Sequence, residues 1–241
     1  MQTVLNPDYK IGVFRRELKN RFLCEVDIDG KSTVCYVPSS CHLGNFLKLQ
    51  GKSVILVPTQ SKETRTKYAL FAVPYKRSFI VLNSSMANRA VKDSITGRRF
   101  SFLGKRTSIY TEHYIEGYKS DLFIRDTNTI LEIKSVLSTE KCAQFPTVFS
   151  ERSLKQLEKL RDLLNKGYHV TYIIVSLNPY VSSISLIENT PFSALLNDCA
   201  KLGMTIAAYT CAMKDSKVLI KHRVPIETEI MRHDERSHGA F

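Results

Sequence analysis

The stretch SDLFIRDTNTILEIKSV, from Ser120 to Val136, carries charged groups inside two short apolar runs. Asp121 stands in the first run, and Glu132 and Lys134 stand in the second. Burying charge is expensive, so a strand pair that keeps all three on one side either faces solvent there or is built around an ion. Side chains alternate along a strand, which sends Glu132 and Lys134 to one face and Leu131 and Ile133 to the other. The DTNT segment sets the register. A two-residue turn at Asp126-Thr127 places Asp121 across from Glu132, whereas one at Thr127-Asn128 places it across from Lys134. Either turn gathers the three groups on one face.

Two carboxylates so close together repel each other and need a counter-charge to stay ionised. A divalent cation supplies one, and Mg2+ typically takes one or two carboxylates together with water and substrate phosphate. A lysine beside them can orient or help deprotonate an attacking water and stabilise developing negative charge. This is the chemistry of phosphodiester hydrolysis. The plain alternative is an exposed hairpin whose alternating charges keep it soluble.

The elements that must hold this hairpin follow from periodicity. After Asn83, SSMANRAVKDSI reads as a helix with serines suited to its N-cap and Met86, Ala90, Val91 and Ile95 at helical spacing. Strands are expected at Ser108 to Tyr114, Asp121 to Arg125 and Thr129 to Val136. SERSLKQLEKLRDLLNKG is a helix with Leu154, Leu157, Leu160 and Leu164 on one stripe. YHVTYIIVSL is a buried strand, and TPFSALLNDCAKLG is a helix with Thr190 as cap, Pro191 in the first turn and Gly203 past the end. MTIAAYTC is one more strand. The order β-β-β-α-β-α-β makes residues 83–225 a mixed α/β domain, with a polar tail over 226–241.

Residues 1–82 read differently. RFLCEVDIDGKSTVCYVP gives two strands, Phe22 to Ile28 and Ser32 to Val37, around a turn at Asp29-Gly30. A further strand follows Gln50-Gly51, and two more flank Pro74. Short strands at this spacing predict a small β-barrel of the OB type, which suits a basic surface carrying aromatics such as Tyr36, Phe46 and Tyr68.

Charge is divided in the same way. The chain of 241 residues has a net charge of +12, and residues 1–105 hold 18 Lys and Arg against 7 Asp and Glu, while the remainder holds 17 against 16. A cationic first part points to a polyanion, with nucleic acid the commonest, although solubility alone would also favour a basic surface. No apolar run is long enough to span a membrane, and MQTVLNPDYK lacks a signal-peptide pattern. Six cysteines without a CxxC pair favour neither zinc nor a disulfide framework, so a cytoplasmic protein with reduced thiols is expected. GxSxG, Walker and HExxH motifs are absent. His42, His113 and His169 are scattered, and no close helix pair suggests a helix-turn-helix regulator.

Asp, about ten residues, then E-x-K on the next strand resembles the PD-(D/E)xK nuclease superfamily. KNRFLCEV, YVPSSCHLG, TRTKYAL, NSSMANR, the SDLFI…LEIKSV hairpin and FPTVFSERSLKQL together resemble the sugar fermentation stimulation protein A family, from roughly Phe14 to Cys211. The resemblance implies an N-terminal OB-like barrel followed by a restriction-endonuclease-like mixed α/β domain, nucleic acid (DNA or RNA) as partner, and Mg2+ or Mn2+ as cofactor. It implies catalytic roles for Asp121, Glu132 and Lys134, with Asp121, Glu132 and Glu112 as metal ligands. Arg152 and Lys155, at the entry to the helix near Ser150, are expected to meet phosphate, with Arg15, Lys19, Arg21, Arg65 and Lys67 of the basic barrel. Glu151 and Lys155 stand one helical turn apart, an arrangement that also fits an ordinary surface ion pair.

The chain departs from the family pattern at several places. Thr147 replaces an aspartate, Ser153 a glycine, Gln156 a histidine and Lys119 an arginine, and PSSC at Pro38 to Cys41 replaces P-N-T-G. These changes are expected to spare the metal-binding core and to alter how substrate is gripped. Two functions follow: a metal-dependent nuclease, as a monomer or homodimer, or a non-catalytic DNA-binding protein or regulator that keeps the fold.

Overall fold

The computed structural model describes residues 8–20, 22–38, 43, 47–59, 66–214 and 217–227. The chain first builds a barrel from β1 (Lys10–Glu17), β2 (Leu23–Ile28), β3 (Lys31–Tyr36), β4 (Ser53–Pro58) and β5 (Tyr68–Tyr75). The strands run β3-β2-β1-β4-β5, and a parallel contact between Tyr36 and Ala69 closes β5 onto β3. The result is the expected OB-type barrel, closed by five strands. β2 and β3 are joined at Asp29-Gly30, both at positive φ (52° and 77°), the turn that suits the right-handed twist of a hairpin. At Gly12, a Cβ would lie 2.5 Å from Val26 Cγ1 and 2.9 Å from the Asp27 carbonyl, so only glycine lets β1 cross β2 this closely. β1 itself lies outside the strands expected from the sequence. Of the aromatics expected on the barrel surface, Tyr36 is exposed and Tyr68 half-buried, and Phe46 lies outside the described residues.

β6 (Ser78–Val81) continues from β5 and ties the barrel to the second part, with the Val81 N–H donating to the Leu177 carbonyl at 3.0 Å. Tyr180 adds to this junction. Its hydroxyl accepts from the Arg77 N–H at 3.1 Å, and its ring lies under the ammonium groups of Lys76 and Lys221 at 4.9 and 5.5 Å.

The second part contains α1 (Met86–Ser94), β7 (Ile109–Thr111), a short hairpin of β8 (Tyr114–Ile115) and β9 (Tyr118–Lys119), β10 (Leu122–Ile124) and β11 (Thr129–Val136). There follow β12 (Cys142–Phe145), α2 (Glu151–Asn165), β13 (His169–Ser176), β14 (Ser183–Leu186), α3 (Pro191–Lys201), β15 (Thr205–Lys214), β16 (Lys217–Val224) and β17 (Ile226–Glu227). The main sheet has the order β16-β15-β13-β11-β10-β7, with β11, β13 and β15 parallel and antiparallel pairs on either side. It is a mixed α/β unit, as expected.

Alternation along the strands divides the sheet cleanly. Leu131, Ile133, Ile173, Val175 and Ala207 pack with α1 and with barrel residues such as Phe14 and Leu56 in one continuous apolar cluster. Ile130, Val136, Tyr172 and Ile174 face the other way and pack under α2 and α3. The expected α2 stripe is shifted by a residue at its end: Leu157, Leu160 and Leu163 are buried, while Leu154 and Leu164 flank them. α2 is capped by Ser150, and α3 carries the Thr190–Ser193 capping box. At α1, by contrast, Ser85 makes no side-chain cap and instead donates its hydroxyl to Asn83 Oδ1 at 2.7 Å. The expected strand Ser108 to Tyr114 is broken at Glu112, whose φ is 52°. Ile226–Glu227, expected to open a polar tail, form β17 beside β14, and 228–241 lie outside the described residues. Cys24, Cys35, Cys199 and Cys211 are buried free thiols, Cys142 donates to Glu227, and Cys41 lies outside the described residues. Among the described residues no helix is long and apolar enough to cross a membrane.

Candidate active site

Sheet register brings the acidic groups together. β10 and β11 pair Leu122 with Leu131, Phe123 with Ile130 and Ile124 with Thr129. Extended by one residue, this register sets Asp121 opposite Glu132, which decides between the two alternatives left by the turn. The connection is a tight helical turn over Arg125–Thr127, closed by Asn128 in the left-handed region. Asp126 anchors it by accepting from the N–H groups of Thr107 and Ser108, each at 2.7 Å.

The first expectation for the three charges, an exposed face, does not hold. The face is not solvent-exposed, because Glu132 is 2% exposed beneath α2. Its carboxylate is instead paired on both oxygens: Lys134 Nζ donates to Oε1 and the Tyr118 hydroxyl donates to Oε2. Lys134 also donates to Gln156 Oε1 of α2 at 2.8 Å. Asp121 accepts from Asn88 Nδ2 of α1 and from the Ile133 backbone N–H, both at 2.7 Å. Burial, followed by repulsion from Glu132, pushes the Asp121 carboxyl up to about 6. Burial and the same two acids raise the hydroxyls of Tyr118 and Tyr172. Tyr172 stands beside Glu132 on the neighbouring strand and is 1% exposed.

The donor set suits a hard divalent cation. Two carboxylates share one low-dielectric face, where burial and then their mutual repulsion raise the Asp121 pKa. Glu112, expected as a third ligand, does not join them. Its carboxylate accepts from Lys119 Nζ at 2.8 Å on a largely exposed side chain, because the left-handed turn at Glu112 directs it along the β8–β9 hairpin. Among the described residues no group of three or more His, Cys, Asp and Glu is arranged to hold a metal. The cation would therefore have two acidic ligands and take the rest from water and substrate.

Arg152 and Lys155 do come to this site. With Lys159, one further turn along α2, they line an open groove of about 430 Å3 that also touches Tyr118 and Gln156. These three cations form no ion pair among the described residues. Glu151 lines the same groove. The barrel residues are elsewhere: Arg15 is paired with Asp27 at 2.6 Å, Lys19 is exposed, and Lys67 lies over the Tyr68 ring. None of these three lines the groove. Arg21 and Arg65 lie outside the described residues.

Asn88, Tyr118, Gln156 and Tyr172 join the site without having been expected there. Gln156, a departure expected to spare the core, is the direct partner of Lys134. Thr147, Ser153 and Gln156 all line a second recess, of about 580 Å3, that contains Lys134 and joins the groove at Arg152. Three of the departures thus line one recess, whereas Lys119 pairs with Glu112 on the β8–β9 hairpin.

Comparison with known proteins agrees with this architecture. Residues 17–82 match the family described as SfsA N-terminal OB domain, and residues 85–217 match the sugar fermentation stimulation protein RE domain. The sugar fermentation stimulation protein homolog of Methanobrevibacter smithii is 27% identical over 219 residues, 85% of this chain and 91% of that one. The homolog of Natranaerobius thermophilus is 25% identical over 230 residues, covering 90% and 94%. The structure of Pyrococcus furiosus SfsA in complex with Ca2+ superimposes with a TM-score of 0.79 at 18% identity, over 94% of this chain and 99% of that one. The chain belongs to the sugar fermentation stimulation protein (SfsA) family.

Proposed function

We propose that the chain is a divalent-metal-dependent nuclease of the PD-(D/E)xK type, hydrolysing phosphodiester bonds in nucleic acid. The observation that carries this reading is the convergence of Asp121, Glu132 and Lys134 on one sheet face beside a cationic groove. Asp121 and Glu132 would hold Mg2+ or Mn2+, which when bound polarises the phosphoryl group and lowers the pKa of water. The Ca2+ complex of the Pyrococcus furiosus relative supports a divalent site in this fold. Asn88 and the Ile133 N–H fix the Asp121 carboxylate, and Gln156, which lines the groove, holds the Lys134 ammonium in the adjoining recess. From there Lys134 can orient the attacking water or neutralise charge that develops on the phosphate. Arg152, Lys155 and Lys159 position the strand through its phosphates, a sequence-independent grip. The barrel supplies further cationic surface.

Labelled DNA and RNA incubated with Mg2+ or Mn2+ test this reading. Wild-type protein is expected to cleave, and Asp121→Asn and Lys134→Met, shown to be folded, are expected to lose at least two orders of magnitude. Equal degradation by all three proteins would identify a contaminant. Binding with no cleavage by any of them would favour a DNA-binding protein that retains the fold.

A further inference from the structure

The groove and the recess differ in what they offer a polyanion. The groove is lined by three cations on successive turns of α2. Among the described residues the recess, of about 580 Å3, adds only Lys134 to the shared Arg152, and the rest of its lining is uncharged. Its floor is apolar and closed: Tyr172 and Leu177 are 1% exposed, Phe192 2% and Phe145 5%. Its rim is made of small hydroxyl side chains, among them Ser135, Thr147 and Ser153. At its mouth Val148 is 59% exposed, and its chain neighbour Phe149 is 51% exposed.

We propose that this recess receives the terminal, unpaired nucleotide of a single strand, so that the protein acts at strand ends. This rests on the reading of Asp121, Glu132 and Lys134 as a nucleic-acid site, and extends it to substrate class. Three features argue for an end. The volume falls in the usual range for small-molecule pockets, roughly 300–1,000 Å3, and so suits one nucleotide rather than a duplex. Apolar floor and hydroxyl rim match a base and its sugar, and a base still paired and stacked would have to leave its helix to enter. Among the described residues the line of cations stops at Lys134 and Arg152, so a strand continuing through the recess would carry its next phosphates past uncharged Ser84 and Leu137. A strand that finishes in the recess leaves all its other phosphates along α2.

Binding and cleavage test this separately. A linear single-stranded oligonucleotide and the same sequence closed into a circle are compared with folded Asp121→Asn protein, by fluorescence anisotropy in metal-free buffer. The linear form is expected to bind at least tenfold more tightly, and Thr147→Trp, added to Asp121→Asn to fill the rim, is expected to bring it down to the level of the circle. Equal affinity for circle and line would overturn the proposal whether or not the protein has activity. In the cleavage arm, wild-type protein with Mn2+ is expected to shorten the linear strand from an end and leave the circle at least 100-fold more resistant. Equal cutting of both, abolished by Asp121→Asn, would overturn the end-binding recess while leaving the nuclease reading intact. If nothing is cut, the nuclease reading fails and the anisotropy comparison alone decides the recess.

Discussion

The Tyr118 hydroxyl donates to Glu132 Oε2, while Lys134 donates to the other oxygen of the same carboxylate. Without metal, then, Glu132 has no idle oxygen, and a cation that binds it must compete with a phenol from the β8–β9 hairpin. Tyr118→Phe should therefore have opposite effects on two quantities. Losing the donor to a buried carboxylate is expected to lower metal-free stability by about 1–3 kcal/mol. The rise in melting temperature on adding Mn2+ should become larger than in wild type. A smaller rise would contradict this relationship.

The Asp121 carboxyl is raised from 3.8 to about 6, chiefly by burial. A raised pKa means that the fold prefers the protonated acid. Its contribution is fully present below pH 4 and is lost as pH rises through about 6. The stability of metal-free Asp121→Asn minus that of wild type should therefore grow across that window, by on the order of 3 kcal/mol for a shift of about two units. Urea unfolding of both proteins between pH 4 and 8 measures this, and a constant difference would contradict it.

Removing the Lys134 ammonium leaves Glu132 buried without its counter-charge. Lys134→Met is expected to cost about 3–5 kcal/mol in the absence of metal, and Glu132→Gln added to it should recover most of the loss. Chemical denaturation of the two single variants and the double variant gives the coupling. Additive losses would mean that the pair is not linked.

On the proposed reading, neutralising Arg152, Lys155 and Lys159 to alanine removes three contacts to a single strand. The slope of log binding constant against log salt should become shallower by about 2. An unchanged slope would place the strand elsewhere, with the exposed cations of the barrel the next surface to neutralise.

At Gly12 the barrel leaves no room for a side chain, since a methyl group there would meet the Asp27 carbonyl oxygen at 2.9 Å. Gly12→Ala should destabilise by about 1–3 kcal/mol through overpacking. A neutral substitution, measured by the same denaturation, would show that β1 and β2 can separate at no cost.

Periodic features announced themselves in the sequence. β11 carries alternating charge and hydrocarbon, and α3 carries its cap, its Pro191 and its terminal Gly203, all local signals that local physics decides. β12, β14 and β17 are two to four residues long and have no period to detect. The site was half visible for the same reason. Asp121, Glu132 and Lys134 lie on one hairpin, whereas Asn88, Tyr118 and Gln156 arrive from α1, β9 and α2, and only tertiary packing joins them. Glu112 misled because proximity in sequence to Asp121 places its backbone correctly, with its N–H on the Asp121 carbonyl at 3.0 Å, while a left-handed φ sends its side chain to Lys119.

Calorimetric titration of Mn2+ into metal-free protein at pH 8 tests the central claim most directly. One site is expected in wild type, lost in folded Asp121→Asn and in folded Glu132→Gln, and retained in Glu112→Gln. Binding that survives in either of the first two variants, or disappears in the third, would contradict the assignment of the cation to Asp121 and Glu132.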